Sequence, residues 1–142
     1  MSKSTSSRFD TALLVLRVVI GVIFVAHGAQ KVFTMGLGGV TQSFVQMGVP
    51  VPALTAPLIS LLELLGGIAL IVGLLTRLAA LGLACDMLGA ILLVHLKNGF
   101  FAPMGFEFPL SLLTSCVVIA LSGAGRLSID DAIARRRASG SG

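Results

Sequence analysis

The 142-residue chain is 56% hydrophobic and only 11% charged, with a mean hydropathy of +1.03. Ten basic and six acidic side chains are too few to wet the exterior of a soluble domain, for which about 25% charged residues is usual. That excludes a soluble enzyme and a disordered segment, and at about 20 residues per membrane-spanning helix the length excludes more than four or five crossings. The formal charge of +4 would suit nucleic acid, but the basic residues stand one or two at a time between apolar runs, apart from Arg135, Arg136 and Arg137. Such a distribution fits topology signals and anionic lipid headgroups. The expected partner is the lipid bilayer and not nucleic acid.

After a polar N-terminal tail (1–10), Thr11 to Val32 forms the first apolar run, ended by Gly36-Leu37-Gly38-Gly39. It is long enough to span at ~1.5 Å per residue and, with Arg17 inside it and three more apolar runs behind it, reads as a retained helix rather than a signal peptide. Val40 to Met47, closed by Gly48, predicts a short helix across the mouth of the bundle. The second run, Ala56 to Leu75, is entered through Pro50, Pro52 and Pro57. The third, Leu78 to Leu96, follows after little more than Thr76-Arg77, so the two form an antiparallel hairpin. The fourth, 106–122, needs Phe106 to Phe108 to reach spanning length. The basic tail 124–142 contains an amphipathic helix, Asp130 to Arg137, suited to lie on the membrane. Residues 11–123 thus read as one all-α, antiparallel four-helix transmembrane bundle. Seven basic residues fall on one side (Lys3, Arg8, Arg77, Arg126 and the three terminal arginines) against Lys31 and Lys97 on the other. By the positive-inside rule both termini are cytoplasmic, in a bacterial or archaeal inner membrane.

Six ionisable residues lie in or near the runs: Arg17, His27, Lys31, Glu63, Asp86 and His95. A charge at mid-bilayer costs roughly 2.5 to 3.5 kcal/mol, so each needs a partner or a wet cavity. Arg17, Gly21, Phe24, Gly28 and Lys31 recur at helical spacing down the first helix, and Glu63, Gly66, Leu70, Gly73 and Arg77 down the second. Depths counted from the outer helix ends put His27 and Glu63 in one layer and Arg17 and Asp86 in a deeper one. Arg17 is therefore expected to form a structural ion pair, with Asp86 as first choice and Glu63 as second. His27, Lys31 and Glu63 predict an outward-facing polar pocket able to hold and protonate a small ligand, with proton exchange at Glu63 and His27. The competing reading has Lys31 snorkelling to headgroups and His27 bonded to a carbonyl. Asp86 and His95, nine residues apart, fall on opposite faces of a regular helix unless it bends. No metal site is expected, since His27, His95, Glu63 and Glu107 show neither His-x3-His nor Glu-x2-His spacing. Cys85 and Cys116 lie at similar depths, but buried cysteine usually acts as a small hydrophobe, and a redox couple is the lesser reading. Lys97 to Phe101 is either an interfacial anchor or a lid. Ala80-x3-Ala84 and Cys85-x3-Gly89 offer small-residue faces for homo-oligomerisation.

Four stretches, taken in order, give the chain a family likeness. They are Arg17-x3-Gly21 with His27-Gly28-x2-Lys31; Phe44-x3-Gly48-x-Pro50; Glu63-x2-Gly66-Gly67 with Gly73-Leu74-x-Thr76-Arg77-x-Ala79-Ala80; and His95 with Gly99-Phe100. The sequence resembles the DoxX family of small membrane proteins, which includes the DoxD-type subunit of thiosulfate:quinone oxidoreductase. The resemblance implies a four-helix membrane bundle, an oxidoreductase label, and functional positions at Arg17, His27, Lys31, Glu63 and His95. It also implies quinone-linked, thiol or sulfur redox chemistry, or a response to catechols and quinones. With no flavin, haem or nicotinamide motif in the sequence, electron transfer would need a quinone or a redox partner subunit. Two functions follow: a membrane component of a redox system binding a quinone or similar ligand through His27, Lys31, Glu63 and His95, or a non-catalytic subunit or small-solute carrier.

Overall fold

The computed structural model describes residues 3–140, so the ends of both expected tails, 1–2 and 141–142, lie outside it. The described chain is helical without strands. Helix α1 (Lys3–Ala29) runs on through a π-helical turn, Gln30–Met35, into α2 (Gly36–Met47). Helices α3 (Pro52–Val72) and α4 (Thr76–Ala90) form the expected hairpin, and α4 continues through a π-helical turn, Ile91–His95, and a 3-10 turn, Leu96–Asn98. Helices α5 (Glu107–Ser122) and α6 (Ile129–Ser139) complete the chain. Three stretches are long and apolar enough to cross a membrane, namely Ser6–Met47, Pro52–Val72 and Thr76–Asn98; α5 is apolar but shorter.

Local chemistry explains the breaks. Pro52 occupies the first turn of α3, where its missing N–H has no intrahelical acceptor to lose. Gly48 ends α2 at φ +76° and Gly73 ends α3 at φ +72°, left-handed conformations that glycine adopts without strain. Large apolar side chains such as Val15, Val19, Leu58, Leu78 and Leu81 are exposed along the outer faces, as a lipid solvent requires. The inner faces build one core from Ile20, Phe24, Leu70, Ala80, Leu83, Ala84, Met87, Leu112, Cys116 and Ile119. Ala80 and Ala84 are thereby buried inside the protomer and are not an oligomerisation face.

Helix α3 packs mainly on α1, and α4 on α5. The α1–α3 contact is backbone against backbone. A Cβ on Gly28 would stand 2.4 Å from the Leu64 nitrogen, and one on Gly67 would stand 2.7 Å from the Gly21 carbonyl oxygen. This register holds Lys31 beside Glu63. Gly28→Ala is therefore expected to abolish most of the monodisperse protein recovered in mild detergent. Gly38→Ala, where a Cβ meets nothing within 4 Å, should leave the yield unchanged or slightly higher. Equal yields from the two variants would contradict the seam.

Helix α6 is tied to the tight turn between α3 and α4. Its N-cap Ser128 accepts from the Asp131 N–H, while Asp130 accepts the Leu75 N–H at 2.8 Å and the Thr76 N–H at 2.9 Å. Leu75 stands at φ +49°, a strained position for a residue with a Cβ. The carboxylate of Asp130 thus caps α4 from a distant part of the chain. Partial burial acts to raise the Asp130 pKa, but the Thr76 and Leu75 donors and the Arg17 charge outweigh it and hold the carboxyl below its ordinary value. A depressed folded-state pKa stabilises above the unfolded value and is lost as pH falls through the folded one. Asp130→Asn should lower stability at pH 7 by about 0.5–2 kcal/mol, the range of a helix cap. The difference from wild type should begin to shrink below about pH 4, where the unfolded carboxyl titrates, and disappear as the pH falls through the lower folded-state value. Thermal unfolding in detergent across that range checks it; a deficit that persists undiminished at low pH would show that the charge is not responsible.

Candidate functional site

The centre of the site is the ion pair between Lys31 Nζ and Glu63 Oε2, at 2.5 Å. Glu63 is 4% exposed, and Lys31 reaches it from the π-helical turn that ends α1. Asp86, 9% exposed, stands next to Glu63 and within the field of Lys31, and its Oδ2 is buried without a hydrogen-bond partner. These three side chains line a cavity of about 640 Å³ between α3 and α4. Leu58, Ile59 and Leu62 of α3 form one wall, Met87, Leu93 and Val94 the other, and Phe44 and Met47 of α2 close the top. Leu58, Cys85 and Leu93 are also exposed, so the cavity opens on the side where α3 and α4 face lipid. Its size and apolar walls with a few convergent polar groups are those of a small-molecule site.

His95 lines the same cavity as Asp86, against the regular-helix expectation. Nine residues of α-helix would turn them ~180° apart; the π-helical turn Ile91–His95 absorbs one residue and leaves roughly 80°. At the mouth His95 Nδ1 lies 2.9 Å from the Met104 carbonyl oxygen, which also accepts from Asn98. Four of the expected groups therefore converge: Lys31, Glu63, Asp86 and His95.

Two expectations are corrected. His27 does not line the cavity; it is exposed and packs against Phe108 of α5, with ring centroids 6.1 Å apart. Four residues from Lys31, it falls on the α5 side of α1 while Lys31 turns toward α3. Arg17 does not pair with Asp86 or Glu63. It is 1% exposed and donates to the backbone carbonyls of Ala124 and Leu127, the latter at 2.7 Å, and its nearest acidic influence is Asp130. Depth counted from the outer ends misplaced Asp86 because those ends are extended by π and 3-10 turns. Counted from the tight turn, Glu63 and Asp86 are each ten residues away, from Gly73 and Thr76 respectively, and so share a level.

The remaining groups stand elsewhere. Cys116 is fully buried in the core, Cys85 is exposed beside the cavity, and neither is bridged. Lys97 to Phe101 contributes nothing to the cavity wall; Phe100 packs edge-on against Phe101 and Phe106 instead. A wider concavity of about 720 Å³ lies at the end carrying the termini, between Asp10, Arg77 and Asp130. Its carboxylates are engaged, Asp10 by the Arg126 N–H, Asp130 by the Leu75 and Thr76 N–H groups and Asp131 by the Arg135 guanidinium. Among the described residues, the buried carboxylate oxygen left without a donor, Asp86 Oδ2, belongs to the smaller cavity.

Fold and site together define a small helical membrane protein with a polar-headed apolar cavity. The chain belongs to the DoxX family, whose model matches residues 12–96. It is 36% identical over 132 residues to a Bacillus subtilis protein named "Putative oxidoreductase CatD", covering 93% of this chain and 94% of that one. It is 32% identical to "Uncharacterized membrane protein Rv3486" of Mycobacterium tuberculosis (88% and 83% covered) and 34% identical to "Inner membrane protein YqjF" of Escherichia coli (85% and 91%). No solved structure matches it significantly.

Proposed function

We propose that the protein is an inner-membrane component of a redox system that binds a quinone or a similar small ligand in the α3–α4 cavity. The observation that carries this reading is the Lys31–Glu63–Asp86 cluster in the wall of a largely apolar cavity open toward lipid. A ligand with a polar ring and an apolar tail matches that division, because the ring meets the charges and the tail keeps company with Leu58 and Leu93. The oxidoreductase name of the Bacillus relative supports the same reading.

In this reading 11–123 forms a four-helix transmembrane bundle with both termini cytoplasmic. Helix α5, antiparallel to α4 and packed along it, is the fourth crossing, and the cavity lies in the outward half. The distribution of seven basic residues against two supports the orientation. A bound quinone supplies a two-electron, two-proton couple. Lys31 keeps two donors beyond its bond to Glu63 and orients the ring oxygen, Glu63 holds or yields the proton, and His95 stands at the mouth as a second polar contact. The electrons pass to or from a partner subunit.

Two experiments test the proposal. Protein purified in mild detergent and extracted with solvent should yield a copurifying quinone, lost from Lys31→Met and Glu63→Gln variants that retain the wild-type elution profile. Finding no extractable ligand and no thermal shift with added quinones, but a stoichiometric partner, would transfer the protein to the non-catalytic subunit class. Reporter fusions at Arg137 and within 37–48 should give cytoplasmic and periplasmic signals respectively; the reverse would overturn the orientation.

A further inference from the structure

The α3–α4 hairpin brings two acids face to face. Its turn joins Gly73 to Thr76, and further along Gly66 packs against Leu83, a Cβ on the glycine standing 3.2 Å from that side chain. One helical turn beyond this contact stand Glu63 on α3 and Asp86 on α4, on the same helix faces and at one level. Both are buried, and the Asp86 side chain is in hydrogen-bonding contact with that of Glu63. A carboxylate accepts and cannot donate, so a hydrogen bond between two carboxyl groups exists only where one of them holds a proton. Counting charges leads to the same place. Lys31 is bonded to Glu63, and among the described residues no donor reaches the buried Asp86 Oδ2. Arg17 packs against Gly73, ~15 Å away along α3, and His95 stands at the mouth against the Met104 carbonyl. Helix α5 presents the buried Cys116 thiol, α4 adds the Cys85 thiol, and α2 gives only Phe44 and Met47. Two ionised carboxyls against one ammonium would leave a buried net charge, which apolar surroundings strongly disfavour.

We propose that Glu63 and Asp86 form a one-proton site inside the hairpin, with the proton resident on Asp86 as a carboxylic acid that donates to the Glu63 carboxylate. Lys31 sets the roles: the carboxyl in contact with the ammonium keeps its charge, and its neighbour takes the proton. The cluster of ammonium, carboxylate and acid is then neutral. Asp86 does not meet the ligand. It is a positioning residue that holds Glu63 through its O–H and stores a proton behind it. In the ligand chemistry proposed above, on which this one consequence rests, a proton delivered by Glu63 is drawn from Asp86. The Asp86 O–H bond breaks as that of Glu63 forms, and Asp86 is left a carboxylate. The resident proton itself does not depend on what the cavity binds.

The test is infrared spectroscopy of the full chain at pH 7 in dodecyl maltoside, a detergent without a carbonyl. A protonated carboxyl has a carbonyl stretch that stands clear of carboxylates and amides and moves down in D2O. The other acids accept from N–H donors as carboxylates: Asp10 from Arg126, Asp130 from Leu75 and Thr76, Asp131 from Arg135 and Glu107 from Ala102. Wild type should therefore show one such band. Carbon-13 in the aspartate side-chain carboxyls should shift it, and the same label in glutamate should leave it in place. Asp86→Asn, whose amide can donate to Glu63 in place of the acid, should keep the wild-type elution profile and lose the band, while Asp130→Asn should retain it. A wild-type spectrum without the band, a band that moves with the glutamate label, or one that survives in Asp86→Asn would overturn the proposal. Should Asp86→Asn not fold, the two labels on wild type decide alone. None of these outcomes bears on the quinone reading, which the extraction experiment decides separately.

Discussion

The close backbone contact of α1 with α3 is the constraint from which the rest follows. Gly21, Gly28 and Gly67 remove the side chains that would hold the two helices apart, and only that approach lets Lys31 and Glu63 meet at 2.5 Å. In lipid there is little hydrophobic gain from bringing helices together, because the tails outside are as apolar as the leucines inside. Association must come from dispersion at short range and from polar groups that find each other. The seam supplies both at once. It is also a ruler: with Gly28 fixed against Leu64 and Gly21 against Gly67, Arg17 is carried to the level of Gly73 at the other end.

At that other end the protein solvates a buried cation without a carboxylate partner. Arg17 is held by two carbonyls from the turn between α5 and α6, and the nearest acid, Asp130, is itself bound to the α4 N-terminus. The two contacts reinforce each other. Arg17 fixes the 124–127 backbone, which positions Asp130, whose carboxylate in turn relieves the unpaired N–H groups at the start of α4. The Asp130 N–H donates to the Gly73 carbonyl, closing the loop on the residue against which Arg17 is packed. Carbonyls carry no sequence signature, so a search for the partner of Arg17 among acids could not have found them.

Much of the fold was legible because it rests on periodicity and on punctuation. The tight hairpin between the second and third apolar runs, the Gly48 stop and the stripe from Arg17 to Lys31 appear as hydrophobic spacing and glycine predict. The turn, however, is made by 73–75 with Thr76 and Arg77 already in α4, and Gly36 to Gly39 lies inside a helical stretch that runs on to Met47. Membership of the DoxX family was legible in the same stretches. The site was legible in part: Lys31 and Glu63 converge as their depths require, whereas Asp86 and His27 do not stand where counting put them. Both errors come from treating a helix as a uniform rod measured from its frayed outer end. A π-helical turn costs hydrogen-bond geometry and is kept where a side chain must be re-aimed, and here two such turns flank one cavity.

Glycine on α4 shows the same limit from the opposite direction. On α1 and α3 the residue permits contact; Gly89, on the cavity wall, faces nothing within 4 Å of its missing Cβ. The helices pair as α1 with α3 and α4 with α5, and α3 touches α4 less extensively than either pair. The open wall leaves an acid and an ion pair beside a space bounded by leucines. Burying a polar atom without a partner is unfavourable. The gap and the orphaned oxygen share one origin, the looser contact of α3 with α4, so that neither the shape nor the charge of the cavity can be understood without the other.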